Sequence, residues 1–422
     1  VEKAILVGAP RKRSAARLHM DEHLAELARL VDTAGADVVG SLTQLVDRPH
    51  PGTYLGSGKL DELSLRIQEL GATLIVFDDE LSPAQSRNIE LATNTRVMDR
   101  AELILDIFAT RARSAEARMQ VELAQLEYTL PRLTRMWTHL DTMKGGIGMR
   151  GPGETQLETD RRLIQHRIKV IKERLLDVDR AREVQRRQRS TQFKVALVGY
   201  TNAGKSSILR AMAHDGDIFV EDRLFATLDP LTRDVEVGEG YTVLLTDTVG
   251  FIRKLPHHLV ASFRATLAEA READLLLHVV DASHPSWEEH RDVVDDVLAD
   301  LGLQLRPTRL VCNKMDLIAE PEREAVEERV RNLVPDALFV SAHAPGGLDS
   351  LRAALVQAIR AQRPLVEVRV PANQGAVLAT LHRDGEVVEQ ISDGSDMLVT
   401  ARVDEKLAGR LRQAGVMVSR VH

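Results

Sequence analysis

The sequence predicts an α/β protein in four parts. A small N-terminal parallel α/β unit (1–100) is followed by a long antiparallel helical hairpin with a glycine-rich tip loop (101–190). Next come a P-loop domain with a mixed sheet flanked by helices (192–363) and a small α+β ferredoxin-like domain (364–422). Three observations carry this reading. Apolar runs alternate with helical periodicity in 1–100 and again in 192–363, the signature of a sheet with helices packed on it. Between them lie two charged helical stretches separated by one glycine cluster. After Pro364 the order becomes strand, helix, strand, strand, helix, strand.

In the first part, "AILVGA" (Ala4 to Ala9) reads as a buried strand and "LHMDEHLAELARLVDTAG" as the helix after it. "DVVGSLTQLV" is the next strand, "SGKLDELSLRIQELG" a helix capped by Ser57, and "TLIVFDD" a third strand. Ser82 then Pro83 open the helix "SPAQSRNIELATN", and "RVMD" is a short fourth strand. The segment "AELILDIFATRARSAEARMQVELAQLEYTLPRL" holds no glycine and one proline. Its Leu103, Ile107, Ala112, Ala115, Met119, Leu123, Leu126 and Leu130 recur at helical steps, so it reads as one long amphipathic helix. Leu157, Leu163, Ile164, Ile168, Ile171 and Leu175 repeat the pattern after the glycines. Two such helices joined by a short flexible segment pair antiparallel. Strands resume at "KVALVG", "VLLTD", "LLLHVVD", "RLVCNK" and "ALFVSA". The last part reads "VEVRV", "VVEQIS", "MLVTARV" and "VMVSRV" as strands, with helices at "NQGAVLATLHRDG" and "DEKLAGRLRQAG".

Composition excludes several classes. Of 422 residues, 44% are hydrophobic and 28% charged, as in ordinary globular protein. The single cysteine, Cys312, rules out an internal disulfide framework and suits a reducing cytosol. No apolar run approaches the ~18 residues that cross a bilayer, no signal-like start is read, and the expected location is cytoplasmic with no membrane partner. The net charge is −7, so a nucleic-acid contact needs a local basic patch. Aromatics make up 3%, which argues against single-strand binding by stacked rings. Residues 150–190 hold 12 Lys and Arg against 7 Asp and Glu, and five of the nine residues from Gly145 to Gly153 are glycine. A basic flank beside a mobile tip favours a nucleic-acid partner over a plain solvated helix face.

"KVALVGYTNAGKSS" carries the chemistry. Gly199, Tyr200, Thr201, Asn202, Ala203, Gly204, Lys205, Ser206 and Ser207 form a phosphate-binding loop between a strand and a helix. Its backbone N–H groups wrap phosphates, Lys205 reaches the β- and γ-phosphates, and Ser206 binds Mg²⁺. In "LLTDTVG", Asp247 holds Mg²⁺ through water, and the Gly250 N–H meets the γ-phosphate, with Thr248 and Val249 between them. In "VCNKMD", Asn313, Lys314, Met315 and Asp316 follow a strand. The Asp316 carboxylate accepts both N1–H and N2–H₂ of guanine, a donor pair that adenine lacks. In "FVSAH", Ser341, Ala342 and His343 close the base site, with the Ala342 N–H at guanine O6. "LFATLDPLTR" places Phe225, Ala226, Thr227, Leu228 and Asp229 where a switch loop belongs. Thr227 is the first candidate for the second hydroxyl on Mg²⁺, and Thr232 is the alternative. The catalytic candidates are thus Lys205, Thr227 and Gly250, and the metal candidates Ser206, Thr227 and Asp247. Phe251 stands where many GTPases place a water-orienting glutamine, so unassisted hydrolysis is expected to be slow. Asn202 can help hold K⁺ beside the phosphates, or it is a turn residue with a local hydrogen bond.

These motifs, together with "TYLGSGKLDEL", "DDELSPAQSRNIE", "DRAELILDIFATRARSAEARMQVELAQLEYTLPRL" and "GPGETQLETDRR", resemble the HflX family of translational GTPases over nearly the whole chain. The stretch from Asp99 to Arg162 is the most family-specific part. The resemblance implies a GTPase that binds GTP and GDP and the large ribosomal subunit, and that splits or rescues stalled ribosomes. It also implies that the glycine-rich tip approaches ribosomal RNA near the peptidyl-transferase centre. Glycines there allow close backbone approach, and Gly148 and Gly151 lie at its heart. Arg132, Arg135, Lys144, Arg150, Arg161 and Arg162 would contact phosphates, and Trp137 or Met149 would lie against a base. A monomer is expected. The alternative is a ribosome-binding factor that nucleotide merely switches, with little catalytic role for hydrolysis. No Walker-type motif precedes Arg150; "GSGKL" (Gly56 to Leu60) lacks the spacing.

Overall fold

The computed structural model describes all residues except 15–16, 134–151, 189–191, 217–222, 256–267, 372 and 422. In β1 (Lys3–Gly8), alternation sends Ala4 and Leu6 to one face and Ile5 and Val7 to the other, and all four are buried. A strand buried on both faces needs two covering layers. β2 (Asp37–Thr43), β3 (Leu74–Phe77) and β4 (Arg96–Asp99) complete a parallel sheet in the order β2-β1-β3-β4. α1 (Met20–Ala34) and α4 (Arg100–Arg111) bring Leu27, Leu30 and Ile104 to the Leu6 cluster. α2 (Ser57–Leu70) and α3 (Pro83–Thr93) bring Leu63, Ile67 and Ile89 to the Ile5 cluster. α3 opens on a capping box: Ser82 Oγ accepts from the Gln85 N–H while Gln85 Oε1 accepts from the Ser82 N–H. Ser57 is the first residue of α2 rather than its cap, which is Gly56.

The single long helix expected after Ala101 is two. α4 ends at Arg111, Ala112 is extended, and α5 (Ala115–Thr129) begins on Ser114, whose Oγ accepts from the Ala117 N–H (3.0 Å). Asp229 supplies the reason. Its carboxylate accepts from the N–H groups of Arg113 (3.0 Å) and Ser114 (3.2 Å) and from the Ser114 hydroxyl. Those amides have a better partner than a continuous helix would offer.

α6 (Pro152–Gln188) is 37 residues long. Arg167 pairs with Glu122 (2.6 Å) and Lys172 with Glu127 (2.8 Å). Both bridges advance along the two helices together, so α5 and α6 run in the same direction where they touch. This corrects the antiparallel expectation.

β5 (Phe193–Gly199), β6 (Leu231–Gly238), β7 (Tyr241–Asp247), β8 (Leu275–Asp281), β9 (Thr308–Asn313) and β10 (Leu338–Phe339) form a six-stranded sheet, ordered β10-β9-β8-β5-β7-β6. β6 is absent from the sequence reading. It joins β7 through Glu239 and Gly240, both at positive φ (54° and 78°), the two-residue turn that closes an antiparallel hairpin. β5, β8, β9 and β10 are parallel, so the sheet is mixed. The accompanying helices are α7 (Lys205–Ala213), α8 (Ala268–Glu272), α9 (Trp287–Asp300), α10 (Glu320–Leu333) and α11 (Asp349–Gln362). The last sheet joins β11 (Leu365–Pro371), β12 (Glu386–Asp393), β13 (Asp396–Arg402) and β14 (Met417–Arg420) in the antiparallel order β12-β13-β11-β14. With α12 (Gly375–Asp384) and α13 (Glu405–Gln413) it has ferredoxin-like topology, its core drawn from Val368, Leu381, Val399 and Leu407.

Packing divides the chain into two compact units, Val1–Arg233 with Leu244–His343, and Asp234–Val243 with Ala344–His422. α11 belongs to the second, where Arg352 donates to the Glu236 carbonyl (2.7 Å), so this boundary precedes Pro364. In the first unit one apolar cluster runs from Leu30 and Phe108 to Val198, Phe225 and Phe251. Among the described residues no helix is long and apolar enough to cross a membrane.

Candidate functional site

The site lies at the C-terminal ends of β5, β7 and β9, where open α/β sheets bind ligands. Gly199 leaves β5 so close to β8 that an added Cβ would stand 2.2 Å from the Val279 carbonyl oxygen. Gly204, at φ +93°, lies against Asn313 Nδ2, 2.2 Å from where its Cβ would be. Both positions therefore require glycine. α7 begins at Lys205, whose Nζ donates to the Gly199 (3.2 Å) and Tyr200 (2.9 Å) carbonyls. Burial lowers its pKa to about 8 against the opposing pull of Asp247, so this cation is short of negative charge.

Ser206 Oγ lies 2.7 Å from Thr227 Oγ1 and donates to Asp247 Oδ2 (2.6 Å). The three metal candidates thus converge, and of the two threonines it is Thr227 that lies beside Ser206 and Asp247. Thr232 is elsewhere, 2.9 Å from the Thr246 hydroxyl. Asp247 Oδ1 is buried with no hydrogen-bond partner, and burial raises the pKa of the carboxyl against the pull of Lys205. Two hydroxyls and an under-satisfied buried carboxylate fit Mg²⁺, a hard cation that takes oxygen ligands.

A cavity of about 380 Å³ opens beside these groups. Thr201, Asn202, Gly204, Lys205, Ser206, Ser207, Phe225, Ala226, Thr227, Thr248, Gly250, Lys314, Asp316 and His343 line it, as the motifs anticipate. Arg223 and Leu317 line it too, without having been anticipated. Gly250 is pressed against the phosphate loop: a Cβ there would lie 2.7 Å from Thr201 Cα. Phe251 is pinned by its backbone, its N–H donating to the Gly199 carbonyl (3.1 Å) and its carbonyl accepting from the Thr201 N–H (2.6 Å). Its ring is buried, so it cannot orient water. Asn202, Phe225, Lys254 and Lys314 all have positive φ, a strained conformation costing roughly 1–3 kcal/mol per residue that gathers at functional loops.

At the base end, Asn313 ties loops together. Its Nδ2 donates to the Ala203 carbonyl (3.0 Å), and its Oδ1 accepts from the Ala342 N–H (3.2 Å), the group expected at guanine O6. Lys314 pairs with Asp281 (2.7 Å), and Asp316 accepts from the Ser341 hydroxyl. Leu228, Val249 and Met315 are core residues behind the wall.

Several functional contacts lie outside the motifs. Phe225 meets Phe108 edge to face at 4.6 Å, and Asp229, read as a nucleotide neighbour, turns instead to the start of α5. Tyr200 also faces away from the phosphates, its ring stacked on His290 (3.9 Å) and its hydroxyl donating to Glu26. Beyond Gly250, Lys254 pairs with Asp78 (2.6 Å) and Asp79 (2.6 Å). Arg100, fully buried, pairs with Asp78 (2.8 Å) and Glu26 and donates to the Arg253 carbonyl (3.1 Å). Burial alone would raise the Asp78 pKa; Arg100, Lys254 and Arg253 reverse this and hold it well below the carboxylate range. "FDDE" and Arg100 are read in the sequence with no role assigned beyond the family resemblance, and their partners in the loop after Gly250 are over 150 residues away.

The RNA candidates divide. Arg135, Trp137, Lys144, Gly148, Met149, Arg150 and Gly151 lie outside the described residues. Arg161 and Arg162 are exposed on α6. Arg132 is a correction. It is buried, donating to the Leu81 (2.8 Å) and Tyr128 (3.1 Å) carbonyls, with Asp99 at 3.5 Å. A guanidinium consumed by interior acceptors cannot reach a phosphate.

A loop built for phosphates at one end of the cavity, with the Asp316 carboxylate at the other, is the arrangement of a P-loop GTPase. Comparison with known proteins narrows the class. Residues 21–109 match the family described as GTP-binding GTPase N-terminal, 111–189 the GTP-binding GTPase middle region, and 194–314 the 50S ribosome-binding GTPase. The chain is 51% identical to GTPase HflX of Flavobacterium psychrophilum over 315 residues, covering 75% of this chain and 76% of that protein. It is 44% identical to GTPase HflX of Caldanaerobacter subterraneus over 398 residues (93% and 90%), and 43% identical to that of Escherichia coli K12 over 366 residues (86% and 85%). The chain belongs to the HflX family of GTPases.

Proposed function

We propose that this GTPase binds the large ribosomal subunit in the cytoplasm, as a monomer, and spends GTP on splitting or rescuing stalled ribosomes. The carrying observation is that both loops sensing the γ-phosphate are packed on the N-terminal unit: Phe225 and Asp229 at the α4–α5 junction, Arg253 and Lys254 on Asp78 and Glu26. The nucleotide state is thereby coupled to the part proposed to touch RNA. The family description naming the 50S subunit supports the choice of partner. Exposed Arg161 and Arg162, with the tip over 145–153 and its Arg150, would meet ribosomal RNA, glycine permitting close approach.

In hydrolysis Lys205 balances charge on the β- and γ-phosphates, and the Gly250 N–H orients the γ-phosphate. Ser206, Thr227 and Asp247 would hold Mg²⁺, which supplies charge neutralisation when bound. Phe251 leaves the attacking water without an in-chain glutamine, so help comes from the ribosome and from K⁺ held beside Asn202, and turnover in K⁺ exceeds that in Na⁺.

The test replaces 145–153 by a Ser/Ala linker and, separately, reverses charge at Arg161 and Arg162. GTP affinity is expected to stay near parental. Ribosome-stimulated turnover should fall sharply, and large-subunit pelleting should weaken with a strong dependence on salt. A linker variant with parental pelleting and stimulation would overturn the RNA role of the tip. Strong nucleotide-dependent binding with little stimulation of turnover would favour the switched binding factor.

A further inference from the structure

Next to a cavity that Thr201, Asn202 and Ala203 of the phosphate loop also line, α1 meets α9 through an unusual set of side chains. His19, Glu22 and Glu289 each offer one ligand atom, and the three atoms lie within 4.8 Å of one another. A point within about 2.8 Å of all three therefore exists between the helices. An inward shift of some tenths of an ångström reaches the ~2.0–2.2 Å of a zinc–nitrogen or zinc–carboxylate bond. Each carboxylate already has an outer partner that fixes its aim. Ser286 donates its hydroxyl to Glu22, and His23 Nε2 lies 3.2 Å from Glu289 Oε1. That is the arrangement in which a second layer of hydrogen bonds orients metal ligands. A cavity of about 230 Å³, lined by Glu22, His23, Glu289 and His290, adjoins the cluster and leaves room for water to complete the coordination.

We propose that His19, Glu22 and Glu289 form a binding site for a divalent transition metal that clamps the N-terminal layer to the GTPase sheet. One imidazole nitrogen with two carboxylates suits Zn²⁺ and its neighbours better than Mg²⁺ or Ca²⁺, which prefer all-oxygen cages. The two anions neutralise a dication, and the ligands come from both sides of the junction. Binding therefore stabilises the docked arrangement through mass action.

The test uses the full chain saturated with GDP and excess Mg²⁺, so that the nucleotide site is filled. Calorimetric titration with ZnCl₂ should show one further site per chain, and CoCl₂ should give the visible absorption of a low-symmetry cobalt centre. Glu289→Gln and His19→Ala should each weaken Zn²⁺ binding at least tenfold. Ser286→Ala, which removes only an outer hydrogen bond, should cost about tenfold. His284→Ala, beside the cavity but outside the triad, should bind as the parent does. Zn²⁺ should raise the thermal unfolding midpoint of the parent and leave that of Glu289→Gln unchanged. Unaltered GDP affinity in each variant shows that the fold survives. Parental binding by the His19→Ala, Glu289→Gln double variant, or no Zn²⁺ site in the Mg²⁺·GDP protein, would overturn the proposal, leaving an ordinary ion-paired junction.

Discussion

Replacing Arg100 by methionine is expected to loosen the seat of the loop that follows Gly250. The guanidinium is fully buried between Asp78 and Glu26, and it also holds the Arg253 carbonyl. Methionine matches its length but leaves three carboxylates, Glu26, Asp78 and Asp79, facing only Arg253 and Lys254. Breaking a buried ion pair on one side costs about 3–5 kcal/mol, which is roughly 150- to 5,000-fold in the local opening equilibrium. Hydrogen exchange reads this at two amides: Phe251, bonded to the Gly199 carbonyl, and Arg253, bonded to the Tyr200 hydroxyl (2.9 Å). Both should exchange at least a hundredfold faster. Adding Glu26→Gln restores charge balance, so the double variant should recover most of the protection. A change below tenfold in the single variant, or no recovery in the double, would refute the claim that this cluster holds the loop.

Three further outcomes follow from the nucleotide site. Asp316→Asn should shift preference from GTP towards xanthosine triphosphate, because an amide donates to the 2-oxo group; unchanged GTP affinity in a competition titration would remove Asp316 as the base reader. Thr227→Ala should raise the Mg²⁺ concentration needed for half-maximal turnover, while Thr232→Ala should not, and equal effects would contradict the grouping of Ser206, Thr227 and Asp247. Lys205, its pKa lowered to about 8 by burial, is protonated below that pH and increasingly neutral above it. Phosphates favour the charged form, so GTP binding at pH 9 should take up a proton and weaken as pH rises, with no uptake at pH 7. Calorimetry in buffers of different ionisation enthalpy measures it, and equal proton uptake at both pH values would show that Lys205 is not the coupled group.

Much of the fold was legible because its signals are local. Alternating burial in "AILVG", Ser82 with Pro83, and the strand order after Pro364 depend on neighbours within a few residues. The nucleotide site was legible for a related reason, since its chemistry demands particular residue types at the ends of β5, β7 and β9. What escaped was long-range. The α4–α5 break needs Asp229, 115 residues away, to outbid the helix for two amides. Arg132 looks like a surface cation until Asp99 and the Leu81 carbonyl are folded over it. The Arg100 cluster joins three distant segments, and no periodicity announces a buried charge. The direction of α6 relative to α5 shows only in the ion pairs Arg167–Glu122 and Lys172–Glu127, which no local periodicity announces.

The capping of α5 by Asp229 has a mechanical consequence. α6 spans about 55 Å at 1.5 Å per residue, and two ion pairs fasten it to α5 near its middle. The carboxylate that fixes where α5 begins belongs to the loop that also supplies Thr227 to the nucleotide. If hydrolysis draws that loop away, the fulcrum of a long rigid beam is released. A rotation of only 10° about that middle sweeps each end of such a beam through roughly 5 Å. A rearrangement at one phosphate group would thus be carried to both ends of the beam.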